Sequence, residues 1–201
     1  SSQDGKSISV NYRKLGRANA TAIAVDQSSS HPPLQFVCPE ADNYVVGKPL
    51  AQEFIDIVTQ DGWSFAQVGD FLRKYISILD SNAKLENLTV DFDSKNETLP
   101  GNYFDFIPQN IIINVNKKAI QIDKEWHSNT RIEVTHLLIR ALLMLSNSLT
   151  RIGVNENSLT LTNFEFIESS LKACGRIVSE SDFDRFFSIE ITVSINFSYF
   201  T

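Results

Sequence analysis

The stretch LLIRALLMLSNSL, residues 137–149, is apolar nearly all round a helical projection and constrains the fold more than any other feature of the chain. A helix that is hydrophobic on every side cannot lie at a surface, so the remaining elements must wrap around it. Its start is read at Thr130, because Thr130 and Glu133 form the Thr-x-x-Glu pattern of a capping box, and the helical segment is expected to run to Ile152.

The rest of the chain supplies amphipathic partners for such a centre. Leu50, Phe54, Ile55, Ile57 and Val58 recur at helical spacing over 50–60, and Asp61-Gly62 closes that helix. Ser64 is an N-cap for a second helix whose stripe is Phe65, Val68, Phe71, Leu72, Tyr75, Ile76 and Leu79. NFEFIESSLKAC reads as a helix stopped by Gly175, SESDFDRFFSIE as a capped helix, and ITVSINFSYF as an alternating tail. Short strands are expected over 7–14, over 20–25 and ahead of Pro39. Gly47-Lys48-Pro49 reads as a turn opening a helix, residues 80–100 as a polar surface connection, and IIINV and AIQI as a hairpin around Asn116-Lys117-Lys118.

Composition excludes several classes. With 201 residues, 42% hydrophobic and 21% charged, the chain has material for one domain with appendages and is not a disordered polymer. A net charge of −6 with well-mixed signs leaves no basic footprint for nucleic acid. Cys38 and Cys174 make neither a metal pair nor a disulfide framework, which points to a cytoplasmic setting. Neither a signal segment nor a transmembrane run of about 18 apolar residues is present. His31, His127 and His136 lack metal-ligand spacing and read as structural, and there is no Ser-His-Asp pattern, GxGxxG or Walker loop.

Chemistry concentrates in GNYFDFIPQNIIINVNKKAIQIDKEW, residues 101–126. Asp105 precedes Pro108 and Asn110, the hairpin follows, and Asp123 stands at its exit. This order resembles the catalytic core of the protein-kinase-like fold, where Asp-x-x-x-x-Asn is followed by a hairpin and a metal-binding Asp. The ending Ile122-Asp123-Lys124-Glu125-Trp126 is similar to aminoglycoside phosphotransferases and choline-kinase-like enzymes rather than to the Asp-Phe-Gly of protein kinases. Phosphoryl transfer needs a carboxylate near the acceptor hydroxyl and oxygen ligands that hold magnesium against the nucleotide phosphates.

The resemblance implies an α+β, protein-kinase-like fold: a truncated β-rich small lobe over 1–40, and a mostly helical C-lobe over 41–201 that carries the catalytic loop and hairpin at 101–126. It implies ATP and magnesium as cofactors. Asp105 would orient or accept the substrate proton, while Asn110 and Asp123 would bind magnesium, with Glu125 a further ligand. Lys14 would be the phosphate-holding lysine, and Tyr44, within the hinge-like EADNYVVG, would lie against the adenine. Tyr103-Phe104 stands where the family carries a histidine, and no glutamate lies between Lys14 and Glu40.

Tyr44-Val-Val-Gly-Lys-Pro-Leu, Gly62-Trp63, residues 99–110 and the Ile122–Trp126 ending also resemble a narrower group. These are kinase-like regions of bacterial cell-surface polysaccharide-modifying enzymes that also carry a methyltransferase dependent on S-adenosylmethionine, sometimes with glycosyltransferases. Two functions are implied. One is a phosphotransferase acting on a small-molecule or glycan hydroxyl. The other is a catalytically inactive module that positions a methyltransferase or glycosyltransferase domain.

Overall fold

A computed structural model describes residues 9–11, 34–37, 41–94 and 96–197. Among these residues five α-helices and several small antiparallel sheets make an α+β fold. The helices are α1 (Ala51–Val58), α2 (Phe65–Leu85), α3 (Val134–Asn147), α4 (Asn163–Ala173) and α5 (Glu180–Phe197). Helix α3 sits at the centre, with Val134, Leu137, Leu138, Ile139, Ala141, Leu142 and Leu145 buried on several faces. It packs against α1, α4 and α5, while α2 packs against α1 and α4. Each leucine so buried contributes about 1.5–3 kcal/mol relative to leaving it in water.

Local signals explain where the outer helices start and stop. The Ser64 hydroxyl accepts from the Gln67 N–H and the Gln67 side chain accepts from the Ser64 N–H, satisfying two orphan donors at the start of α2. Thr162 and Glu165 do the same for α4. Helix α4 ends in a Schellman motif: Gly175 takes φ +95°, its N–H donates to Lys172 and the Arg176 N–H donates to Leu171. Helix α2 runs beyond the expected stop near residue 79 because Ala83 prolongs its buried stripe and Lys84 pairs with Asp80 one turn back.

Among the described residues nine strands complete the fold. Strand β1 (Ser9–Asn11) pairs with β3 (Ala41–Asn43), and β2 (Leu34–Phe36) pairs with β8 (Trp126–Ser128). Gly47-Lys48-Pro49, expected as a turn, is strand β4. It pairs with β6 (Ile111–Asn114), which pairs with β7 (Ala119–Gln121), so the expected hairpin carries a third strand. Pro49 is tolerated because β4 is an edge strand. The capping box expected at Thr130 and Glu133 does not form: Ile132-Glu133 is strand β9, paired with β5 (Thr98–Leu99). The Val134 N–H then finds its acceptor in the Glu97 carbonyl, which replaces the cap.

The alternating tail over 191–197 is also helical, since extending α5 adds a hydrogen bond per residue without a new nucleation cost. Lys14, the strand expected over 20–25, His31 and residues 198–201 lie outside the described residues, as does most of the segment 1–40. Among the described residues no helix is long and apolar enough to cross a membrane.

Two glycines differ in what they do. Gly175 needs its left-handed backbone, whereas a Cβ at Gly101 would overlap the Ser128 carbonyl, the contact by which the loop after β5 lies against β8. Gly175→Ala is expected to cost about 1–2 kcal/mol. Gly101→Ala is expected to cost more, because strand β8 must move. Urea unfolding of the two variants beside the parent chain measures both losses.

Candidate active site

The loop that carries Asp105 is fixed from below by α2. It runs between two 3₁₀ turns, Gly101–Tyr103 and Pro108–Asn110, with Pro108 at the first position of the second turn. The Tyr75 hydroxyl donates to the Phe106 carbonyl at 2.6 Å, the Asn82 amide donates to the Tyr103 hydroxyl at 2.9 Å, and the Tyr103 and Phe106 rings stack. Phe104, Phe106 and Ile107 are buried, so the backbone on both sides of Asp105 is anchored in the core.

Asn110 joins the two halves of the acidic motif. Its side-chain amide donates to the Asp105 carbonyl at 3.1 Å, and its own carbonyl accepts from the Ile122 N–H at 2.8 Å. Asp123 follows in the left-handed region at φ 50°, a conformation that costs a non-glycine residue energy and is held by the hairpin behind it. Asp105, Asn110, Asp123 and Glu125 therefore gather at the open end of the β6–β7 hairpin.

Asp105 is 9% exposed. Burial pushes its carboxyl up to about 6, Arg140 opposes this, and the nearby negative charges of Glu125 and Asp123 push it further up. One Arg140 nitrogen lies 3.9 Å from the Asp105 carboxylate, and the guanidinium stacks 4.0 Å above the Phe104 ring. Its closer partner is Glu190 on α5, at 2.6 Å. His136 Nε2 donates to the other Glu190 oxygen at 3.1 Å. Burial alone would raise the Glu190 carboxyl, but the His136 hydrogen bond and the Arg140 charge outweigh it and hold it below its ordinary value.

His136, Arg140 and Glu190 were not read as site residues from the sequence. Arg140 carried a signal all the same, since a charge inside an otherwise apolar helix must find a partner when buried. His136 lies one turn before it on the same face of α3. Glu190 lies 50 residues beyond Arg140 and has no local signature. Tyr44 is 58% exposed and leads into β4, whose register sets Gly47 opposite Asn114 at the turn end of the hairpin, so it is not brought together with the carboxylates. His127 lies within β8 rather than at a strand exit, its Nε2 donating to the Lys124 carbonyl.

Among the described residues no three His, Cys, Asp or Glu side chains are grouped as a metal cage. Magnesium does not require one, because it is held by one or two protein oxygens together with phosphates and water. The Asn110 amide oxygen and the Asp123 carboxylate are oxygen donors of that kind, and the negative charges of Glu125 and Asp123 lie near enough to Asp105 to raise its carboxyl. No family model, curated protein or solved structure matches the chain.

The two buried carboxylates should respond to pH with opposite sign. Asp105 has a raised value, so its ionisation works against folding above the ordinary 3.8 and the full cost is present above about 6. Asp105→Asn is expected to stabilise the chain by about 1–3 kcal/mol at neutral pH, the gain vanishing below about pH 4. Glu190 is depressed, so its contribution is present above its ordinary value and is lost as pH falls through the folded value. Glu190→Gln is expected to cost about 3 kcal/mol at neutral pH by leaving Arg140 buried without its nearest anion. Urea unfolding of both variants between about pH 3 and pH 8 tests these signs.

Proposed function

We propose that this chain is the large lobe of a protein-kinase-like phosphotransferase that uses ATP and magnesium on a small-molecule or glycan hydroxyl. The observation that carries the reading is Asn110, whose side chain binds the Asp105 backbone while its carbonyl binds Ile122, next to Asp123. The order of elements agrees with it. A strand, the Asp105 loop, a hairpin, Asp123, a strand paired back to the first and a buried helix follow one another. The resemblance of Tyr44–Leu50, Gly62-Trp63, residues 99–110 and the Ile122–Trp126 ending to polysaccharide-modifying enzymes suggests a place within a larger polypeptide of that kind.

In this reading Asp105 orients the acceptor hydroxyl and takes its proton as the acceptor oxygen bonds to the γ-phosphorus and the bond to the ADP oxygen breaks. A carboxylate near 6 is ionised at neutral pH and still basic enough to receive a proton. Arg140 keeps that ionised form tolerable in a buried loop, and Phe104 holds Arg140 in place. Asn110 and Asp123 would hold magnesium, with Glu125 supporting them; the ion would neutralise charge on the phosphates. A second reading, a non-catalytic module beside a methyltransferase, is favoured by one observation, the depth at which Asp105 is buried beside Arg140.

Calorimetric titration with ATP, with and without magnesium, separates the two. Phosphotransfer requires magnesium-dependent binding that Asp123→Ala abolishes. A folded chain that binds no nucleotide would overturn it in favour of the module. Where turnover is found, kcat/KM should fall as pH drops below about 6, where Asp105 takes up its proton.

A further inference from the structure

A trough of about 710 Å³ runs between the outer face of α2 and the turn side of the β6–β7 hairpin, whereas the carboxylates gather at the open end of that hairpin. Its floor is apolar. Ile78 of α2, Ile113 of β6 and Ala119 of β7 are half-buried, and Leu85, in the last turn of α2, is 75% exposed. Ser77 and Ser81 line the helix side with short side chains, and the Ser81 hydroxyl already donates to the Ser77 carbonyl. The Asn82 amide is likewise taken, by Tyr103 and Glu86.

Four charged residues border the trough, and two of them cancel. Lys74 pairs with Glu53 at 2.5 Å. Lys117 and Lys118 are exposed and, among the described residues, are in no ion pair. The turn that carries them is well fixed: the Asn114 side-chain oxygen accepts from the Asn116 and Lys118 N–H groups, and the Lys117 N–H donates to the Asn114 carbonyl. Lys117 takes φ 60°, where glycine is the ordinary residue, so the turn carries a charge at a position that backbone energy alone would give to glycine. The trough therefore has a net positive rim on a chain whose net charge is −6.

Charge complementarity and shape select the occupant. A small anion would make no use of the apolar floor, a nucleic acid would be repelled by the acidic chain around two lysines, and a flat bilayer would not reach a concave floor. From Lys74 to Leu85 the trough follows α2 for about 16 Å at about 1.5 Å per residue, the length of roughly five residues of extended chain. An extended chain points successive side chains to opposite sides, which suits a floor of one kind and a rim of another. We propose that the trough docks an extended acidic segment of a protein partner, with alternate apolar side chains on Ile78, Leu85 and Ile113 and carboxylates at Lys117 and Lys118. The surface stands independently of the phosphotransfer reading.

The test titrates the full ¹⁵N-labelled chain with a peptide of alternating glutamate and leucine, and follows affinity by the anisotropy of a fluorescein label on the peptide. Backbone amide resonances of Ile78, Leu85, Ile113, Lys117, Lys118 and Ala119 should shift saturably while those of α4 stay in place. Binding should weaken about tenfold in Leu85→Asp and in the double variant Lys117→Glu, Lys118→Glu, all at exposed positions, and should weaken as salt rises. Lys117→Gly should leave the urea midpoint no lower, because glycine is at ease at φ 60°, yet weaken the peptide severalfold, which separates docking from a structural role of the turn. Resonances of the trough left unmoved, equal binding by the charge-reversed variant, or equal binding of a peptide of alternating lysine and leucine overturns the surface. Binding instead to phosphatidylcholine vesicles containing phosphatidylserine, lost in the charge-reversed variant, overturns the peptide in favour of a membrane.

Discussion

Arg140 is the residue on which the interior depends. It puts a permanent charge into the central buried helix, and three parts of the molecule are arranged to accept it. Glu190 on α5 supplies the close anion, the Phe104 ring supplies a face, and Asp105 supplies a second, more distant carboxylate. Removing water from an ion of this kind costs several kcal/mol, which only good pairing offsets. Central helix, last helix and acidic loop are therefore held in one relation by the need to keep one guanidinium satisfied.

The pairing is unequal, and that inequality shapes the site. Glu190 lies close to Arg140 and also accepts from His136, so it remains ionised below its ordinary range. Asp105 receives only a distant share of the same charge while facing Asp123 and Glu125, and burial prevails. One carboxylate is thereby a structural anion and the other a poised one. Environments that separate two carboxylates in this way are found where groups must exchange protons, although ion-pair networks with no catalytic role also perturb them.

Local pattern made much of this legible. The all-round apolar stretch identified α3 as the centre, and capping and stop residues located α2 and α4, because those signals act within a few residues. Two of the failures share one cause. Gly47–Pro49 became a strand by pairing with β6, and Ile132-Glu133 became one by pairing with β5, so partners distant in sequence decided each case. The site divides similarly. Asp105, Asn110 and Asp123 were singled out in the sequence because their relation is a spacing around a hairpin, whereas the Arg140–Glu190–His136 group exists only once α3 and α5 have packed.

Asn110 and the α2 contacts then account for how a repulsive cluster persists. Three carboxylates near one another, one of them in left-handed backbone before its partner, would separate if each belonged to a free loop. They do not, because Tyr75 and Asn82 fix the loop at Phe106 and Tyr103, and Asn110 ties that loop to the hairpin exit. Each of these bonds is worth about 1 kcal/mol net, so the cluster is held by several ordinary interactions on a rigid base rather than by one strong one.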